Sequence, residues 1–160
     1  MSTISVCVTV PLDADAAFEL FTREVDSWWK RGPAYRFRDG RDSTMAFEGD
    51  LGGRLVEYFG DGGKCREIGR ITAWEPGRRL AFEWQEPRFR EPVVTDIEVL
   101  FAAVEGGTRV TLTHSGTERL VAEHPARHGL AEVPFLRMRG DWWKAHLESL
   151  SRLAGRRLNP

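Results

Sequence analysis

The residues of this chain best suited to hold a ligand or move a proton are its four histidines, two tyrosines and two cysteines, and their spacing sorts them. His114 ends the run Val110-Thr111-Leu112-Thr113-His114, so in an extended strand it shares a face with Val110 and Leu112. His146 follows Trp142 by one helical turn and can stack on that ring. If both turn inward, they make a polar patch in apolar surroundings, suited to orienting a ligand or carrying a proton. The competing reading gives each a structural hydrogen bond to a backbone carbonyl, since a histidine without a paired carboxylate is weak ground for acid–base catalysis. Tyr58 offers a phenol, and strand alternation leaves its face open.

Other candidates fall away. His124 and His128 have an HxxxH spacing, but Pro125 between them disrupts the helix that would align two metal ligands, and no third ligand pattern follows. Cys7 takes the polar face of its strand and Cys65 begins another; neither has a histidine near it in sequence. Glu57, Asp96 and Glu98 lie within strands, and Glu98, alternating with Ile97 and Val99, faces away from the core. Arg36 and Arg38 follow Tyr35 and could receive a ligand carboxylate; pairing with Asp39 and Asp42 is the plainer reading. No glycine-rich phosphate loop, nucleophile elbow or pair of catalytic carboxylates occurs, so neither a metal nor a cofactor is expected.

Tryptophan is the unusual feature. Six occur in 160 residues, four of them in the echoing stretches "SWWK" and "DWWK". One ring buries roughly 150–250 Å², so each serves well as core filler. Six together exceed what a small core usually needs, which tilts the set toward a pocket wall. One ring of each pair is expected inside and its neighbour at a rim, where pocket mouth and partner surface look alike.

The elements that must position these residues follow from periodicity. Ile4, Val6, Val8 and Val10 alternate with polar residues as a half-buried strand. Asp13 is a good N-cap, and Ala14, Ala17, Phe18, Phe21, Val25 and Trp28 mark one amphipathic helix or two short ones, stopped by Gly32-Pro33. From about residue 44 the period becomes two, and strands are expected at 44–48, 55–59, 65–74, 79–86, 93–104 and 108–115. Turns at 50–53, 61–63, 75–77, 87–92 and 105–107 separate them. Residues 116–135 read as a connection. Leu136, Gly140, Trp143, Leu147, Leu150 and Ala154 form the stripe of a last helix over 136–154, flanked by Trp142, His146 and Leu153. Strands in hairpin succession make one antiparallel sheet with one apolar face, and a single long helix buries both by lying across it. The expected class is α+β: a curved sheet of about seven strands gripping a long C-terminal helix, with short helices after the first strand.

Length fits one domain spanning 1–160. The chain is 41% hydrophobic and 29% charged, with net charge −1 and pI near 6.4. That balance argues against nucleic acid as a partner. No apolar run reaches the ~18 residues of a membrane span, and the N-terminus lacks the pattern of a signal peptide. Two cysteines make no disulfide framework, so a reduced, cytoplasmic protein is expected.

The stretches "VPLDADAAFELFTREVDSWW", "GGRLVEYF", "GRITAWEPGRRLAFEW", "GGTRVTLTHSG" and "GDWWKAHLESLSRL" resemble, in order and spacing, the START-like (SRPBCC, helix-grip) superfamily. The closest resemblance is to the branch sharing the C-terminal domain of the activator of Hsp90 ATPase. The resemblance implies an elongated hydrophobic cavity between sheet and C-terminal helix, used by relatives for lipids, sterols, polyketides or hormones, by some for cyclase or aromatase chemistry, and in one branch for stimulating a chaperone. It implies no universal catalytic motif. On that fold the cavity lining is expected to be Trp28, Phe37, Phe47, Tyr58, Trp84, Phe101, Leu112, His114, Trp143, His146 and Leu147. The leading expectation is a protein that binds a small apolar or aromatic molecule. One alternative is an enzyme of cyclase, dehydratase or hydrolase type using His114, His146 and Tyr58. Another is a protein-interaction domain or homodimer, docking through an exposed patch at Trp29 or Trp142.

Overall fold

A computed structural model describes residues 2–37, 42–60, 63–86 and 90–158; Arg38 and Asp39, residues 61 and 62 of one expected turn and 87–89 of another lie outside them. Seven antiparallel strands form one sheet: β1 (Thr3–Val10), β2 (Ser43–Glu48), β3 (Arg54–Phe59), β4 (Lys64–Glu75), β5 (Arg79–Gln85), β6 (Val94–Val104) and β7 (Gly107–Ser115). Their order is β1-β7-β6-β5-β4-β3-β2, so the first strand pairs with the last and the chain crosses the whole sheet to begin β2. That crossing carries α1 (Ala14–Arg23) and α2 (Val25–Trp28). Asp13 caps α1 by accepting the Ala16 N–H at 2.8 Å. Two short helices therefore stand where one or two were expected.

Curvature has a local cause. The pairing register shifts on both sides of β4, at Leu55/Val56 against β3 and between Ile71 and Ala73 against β5. Such bulges bend a strand and raise its twist. Gly69 sits there with its backbone so close to β5 that a Cβ would lie 1.5 Å from the Glu83 carbonyl oxygen.

The long helix α3 (Glu132–Leu158) begins four residues earlier than the sequence stripe suggested. Pro134 falls in its first turn, where backbone N–H groups lack helical partners anyway, so the proline is no obstacle. At ~1.5 Å per residue, α3 runs about 40 Å. Its Trp143, Leu147, Leu150 and Ala154 are buried in one core with Phe18, Phe21 and Trp28 of the short helices and with Phe82, Val99 and Leu112 of the sheet. The strand alternation of β1 holds as expected, with Ile4 and Val10 buried and Ser5, Cys7 and Thr9 exposed. Leu136 departs from the stripe: it packs with Phe135 and Leu120 in a separate small cluster under the 116–131 connection.

Gly69→Ala tests the bulge. The backbone of β5 must give way, so a loss of about 1–3 kcal/mol or more is expected in urea unfolding. An unchanged midpoint would mean that β4 and β5 do not approach this closely.

Candidate functional site

Between the N-terminal half of α3, the loop after α2 and the strands β4 and β5 lies an open cleft of about 1100 Å³. Its walls are aromatic: Trp29 and Tyr35 from the loop side, Trp84 from β5, and Trp142 from α3. Trp29 and Trp84 stack with centroids 6.1 Å apart and planes 22° apart; Tyr35 and Trp142 do so at 5.8 Å and 27°. The loop is fastened by Arg36, which is buried and fills all five guanidinium donors. It bonds the Asp26 carboxylate at 2.7 Å and backbone carbonyls of Asp26, Trp29, Lys30 and Ser43. Arg36 therefore pairs with Asp26 and has nothing left for a ligand, while Asp39 lies outside the described residues.

Behind the aromatic wall runs a polar chain. Trp143 Nε1 donates to His114 Nδ1 at 3.0 Å. An indole nitrogen only donates, so His114 Nδ1 is unprotonated and the proton sits on Nε2. Nε2 lies 2.7 Å from Thr95 Oγ1 and 3.8 Å from Glu86 Oε1. The Glu86 carboxylate, wholly buried at its side chain, takes two bonds from Arg139 of α3 at 3.2 and 3.3 Å. Burial, reinforced by the Arg139 cation, pushes the His114 imidazole down to about 3. It is neutral near pH 7 and spends both nitrogens on structural bonds.

His146 behaves alike. Its Nδ1 accepts the Lys30 backbone N–H at 3.2 Å, which places the proton on Nε2. That atom is buried without a hydrogen-bond partner, and the ring is enclosed by Trp28, Trp29, Tyr35, Trp142 and Trp143 at centroid distances of 4.4–6.1 Å. Burial, with Lys30 and Arg36 adding to it, holds this imidazole down at about 3 too.

The eleven side chains expected along a cavity divide. Phe37 and Trp84 lie on the cleft wall. Trp28, Phe47, Phe101, Leu112, Trp143 and Leu147 lie in the closed core, because α1 and α2 fill the space over that part of the sheet. His114 and His146 stand one layer behind the wall. Tyr58 points away from the face shared by Glu57 and Phe59, and its hydroxyl bonds Glu48. His114, His146 and Tyr58 thus hold three separate sets of partners and do not converge on one point. His124 caps a short 3-10 turn by accepting the Ala126 N–H through Nδ1, which is a structural role.

Several site residues escaped sequence reasoning. Trp29 faces the cleft because α2 ends at Trp28 and the backbone turns extended at Trp29. Glu57 is buried on β3 with both oxygens on the Phe37 N–H at 3.1 Å. Its place between Leu55 and Phe59 on the inner face was the available signal. Arg66 is its cross-strand partner on β4, and the guanidinium lies 5.6 Å over the Phe37 ring.

The histidines set an acid limit. Each is neutral when folded and binds a proton near its ordinary 6.5 when unfolded, so the unfolded state gains protons as pH falls below that value. Stability should be fully present above pH 6.5 and fall toward pH 3, by up to about 1.4 kcal/mol per pH unit for each histidine. Urea titrations from pH 7.5 to 5 should show the slope, and His146→Phe should halve it. An equal slope in that variant would remove His146 from the account.

Comparison with known proteins agrees with this architecture. A protein of Mesorhizobium loti has a TM-score of 0.64 at 15% identity, over 96% of this chain and 97% of its own. The Aha1 dimer from Colwellia psychrerythraea gives 0.62 at 18%, over 94% of each chain. A Rhizobium loti protein gives 0.62 at 20%, over 94% of this chain and 95% of its own. At such identities the likeness is one of fold. Among curated proteins the sequence has no match. Residues 11–154 match the family described as activator of Hsp90 ATPase homolog 1-like protein. With the helix gripped by a seven-stranded sheet, the chain belongs to that family, a branch of the START-like superfamily.

Proposed function

We propose that the protein binds a small apolar or aromatic molecule in the cleft between β4–β5 and α3. The observation that carries this reading is the wall itself: four aromatic rings from three elements converge on about 1100 Å³ of open space. Binding sites for small molecules are concave and mostly apolar, with a few polar groups that fix orientation. Arg66 is a polar group of that kind on this wall, while Arg139 and Glu86 are bonded to each other. Rigid rings also lose little conformational freedom on binding. The cytoplasm is the setting on this reading, with Cys7 and Cys65 as free thiols. The Colwellia relative is a dimer, so self-association of this chain is a companion question for sedimentation.

A thermal-shift screen against fatty acids, sterols, flavonoids and aromatic acids tests the proposal. A ligand at ~100 times its Kd adds about 2.7 kcal/mol, several degrees in Tm for a domain of this size. Trp142→Ala should weaken the best ligand about tenfold by removing one wall ring, and should also lower the ligand-free Tm, because Trp142 packs on the core and bonds the Ala34 carbonyl. A flat screen at concentrations where a micromolar binder must register would sink the proposal.

A further inference from the structure

We infer that the ligand pairs an aromatic or apolar body with a single carboxylate, and that Arg66 on β4 receives that carboxylate. The inference deepens the ligand-binding reading and rests on it.

Three described arginines line the cleft, and they differ in what they have already bonded. Arg36 has no free donor, as shown above. Arg139 lays its fork on Glu86, which fills the geometry that a ligand carboxylate would use. Arg66 is half-buried, yet it forms no ion pair among the described residues. Its one hydrogen bond among the described residues is a long one, from Nη2 to the Gln85 carbonyl at 3.4 Å. Other surface arginines of the sheet do better: Arg54 meets Glu48 at 2.7 Å and Arg79 meets Glu98 at 2.7 Å.

A guanidinium keeps its charge in a protein, so the Arg66 cation loses part of its hydration without a carboxylate partner among the described residues. Burial pulls its pKa down, and the charges of Glu57 and Glu86 oppose that pull. Neither of those acids is available to close the contact. Glu57 turns both oxygens to the Phe37 amide and forms no ion pair with Arg66, and Glu86 is held by Arg139. Their negative charge works against an anion at longer range, so only a close, two-bonded pairing with the fork can win. Planar carboxylates match that fork, and an apolar body attached to one would run from Arg66 along Trp84 and Trp142. Phe37, 52% exposed at the rim and beneath the guanidinium, holds Arg66 over the opening.

The probes are 2-naphthoate and its neutral counterpart 2-naphthamide, measured by calorimetry on the whole chain and on Arg66→Gln and Arg66→Lys. The wild type should bind naphthoate about tenfold or more tightly than naphthamide, the size of one charge-assisted pair. Arg66→Gln should abolish that preference by weakening naphthoate alone. Its Tm without ligand should stay within a few degrees of the wild type's, because the removed charge forms no ion pair among the described residues. Arg66→Lys keeps the charge and loses the fork, so its preference should fall between the two. Equal binding of both probes by the wild type would overturn the role of Arg66 while leaving the cleft as a binding site. A preference that survives Arg66→Gln would do the same. Binding of neither probe would overturn both the inference and the ligand-binding reading beneath it.

Discussion

One concave apolar face has to be covered, and the chain supplies a single long helix to cover it. That mismatch governs the rest. Seven strands span more width than one helix can shield, and α3 lies toward the β1 side, where Ser151 Oγ bonds the Thr9 carbonyl at 3.3 Å and Gly140 approaches Ile4. The opposite side must be closed by other means. Over β2 this is done by α1 and α2, whose Phe21 meets Phe47 and Phe101 with centroids 6.3 and 5.9 Å apart. Between those two covers, beside β4 and β5, a strip of the inner face stays open. The cleft is therefore a consequence of how the cover is divided, and its aromatic walls are the margins of the two lids.

A wall facing water on one side and core on the other needs stiffness, because every ring displaced from it exposes apolar surface. The chain from Trp143 through His114 and Thr95 to Glu86 and Arg139 provides it. It ties α3 at two positions, Arg139 and Trp143, to β5, β6 and β7. A buried carboxylate–guanidinium pair is weak ground for claiming extra stability, because desolvation offsets much of the attraction. What it does supply is register: α3 cannot slide or rotate without leaving Glu86 buried and unpaired. The neutral histidines serve the same end, with His114 accepting from the helix and His146 from the Lys30 amide of the loop.

Much of the fold could be read from the sequence because its signals are short-range. The alternation of Ile4 to Val10 and the i, i+3, i+4 recurrence of Trp143, Leu147, Leu150 and Ala154 each report on one element by itself. The family resemblance reads the order of such elements. The site was less legible, since it is built from pairs far apart in the chain. Glu86 and Arg139 are separated by 53 residues, and Trp142 bonds the Ala34 carbonyl across 108. A helix continued through Trp29 would turn that ring away from Trp28 and the core, whereas the backbone is extended there and both rings are buried. The cavity expected over Phe47, Phe101 and Leu112 is filled by α1, which no periodicity within those strands could reveal. The inner face of β4 was hidden by its own composition: Lys64 and Arg66 precede Ile68 on it, and charged residues read as a solvent face.

If the cleft binds a ligand as proposed, the same arrangement separates the residues that hold the wall from the one that would recognise the ligand. The histidines behind the wall are neutral, and the Glu86 carboxylate there is paired with Arg139. Of the polar side chains that line the cleft, Arg36, Arg139 and Glu86 are committed to intramolecular bonds that hold the wall in place. Exchanging any of them would disturb the lids before it altered recognition. Arg66 stands outside that network, on a strand whose position is fixed by its neighbours on both sides. A cleft arranged in this way can change the charge it accepts at one position without rebuilding the helix, the loop or the sheet. Such separation of scaffold from recognition is what a shared fold needs if it is to serve different ligands.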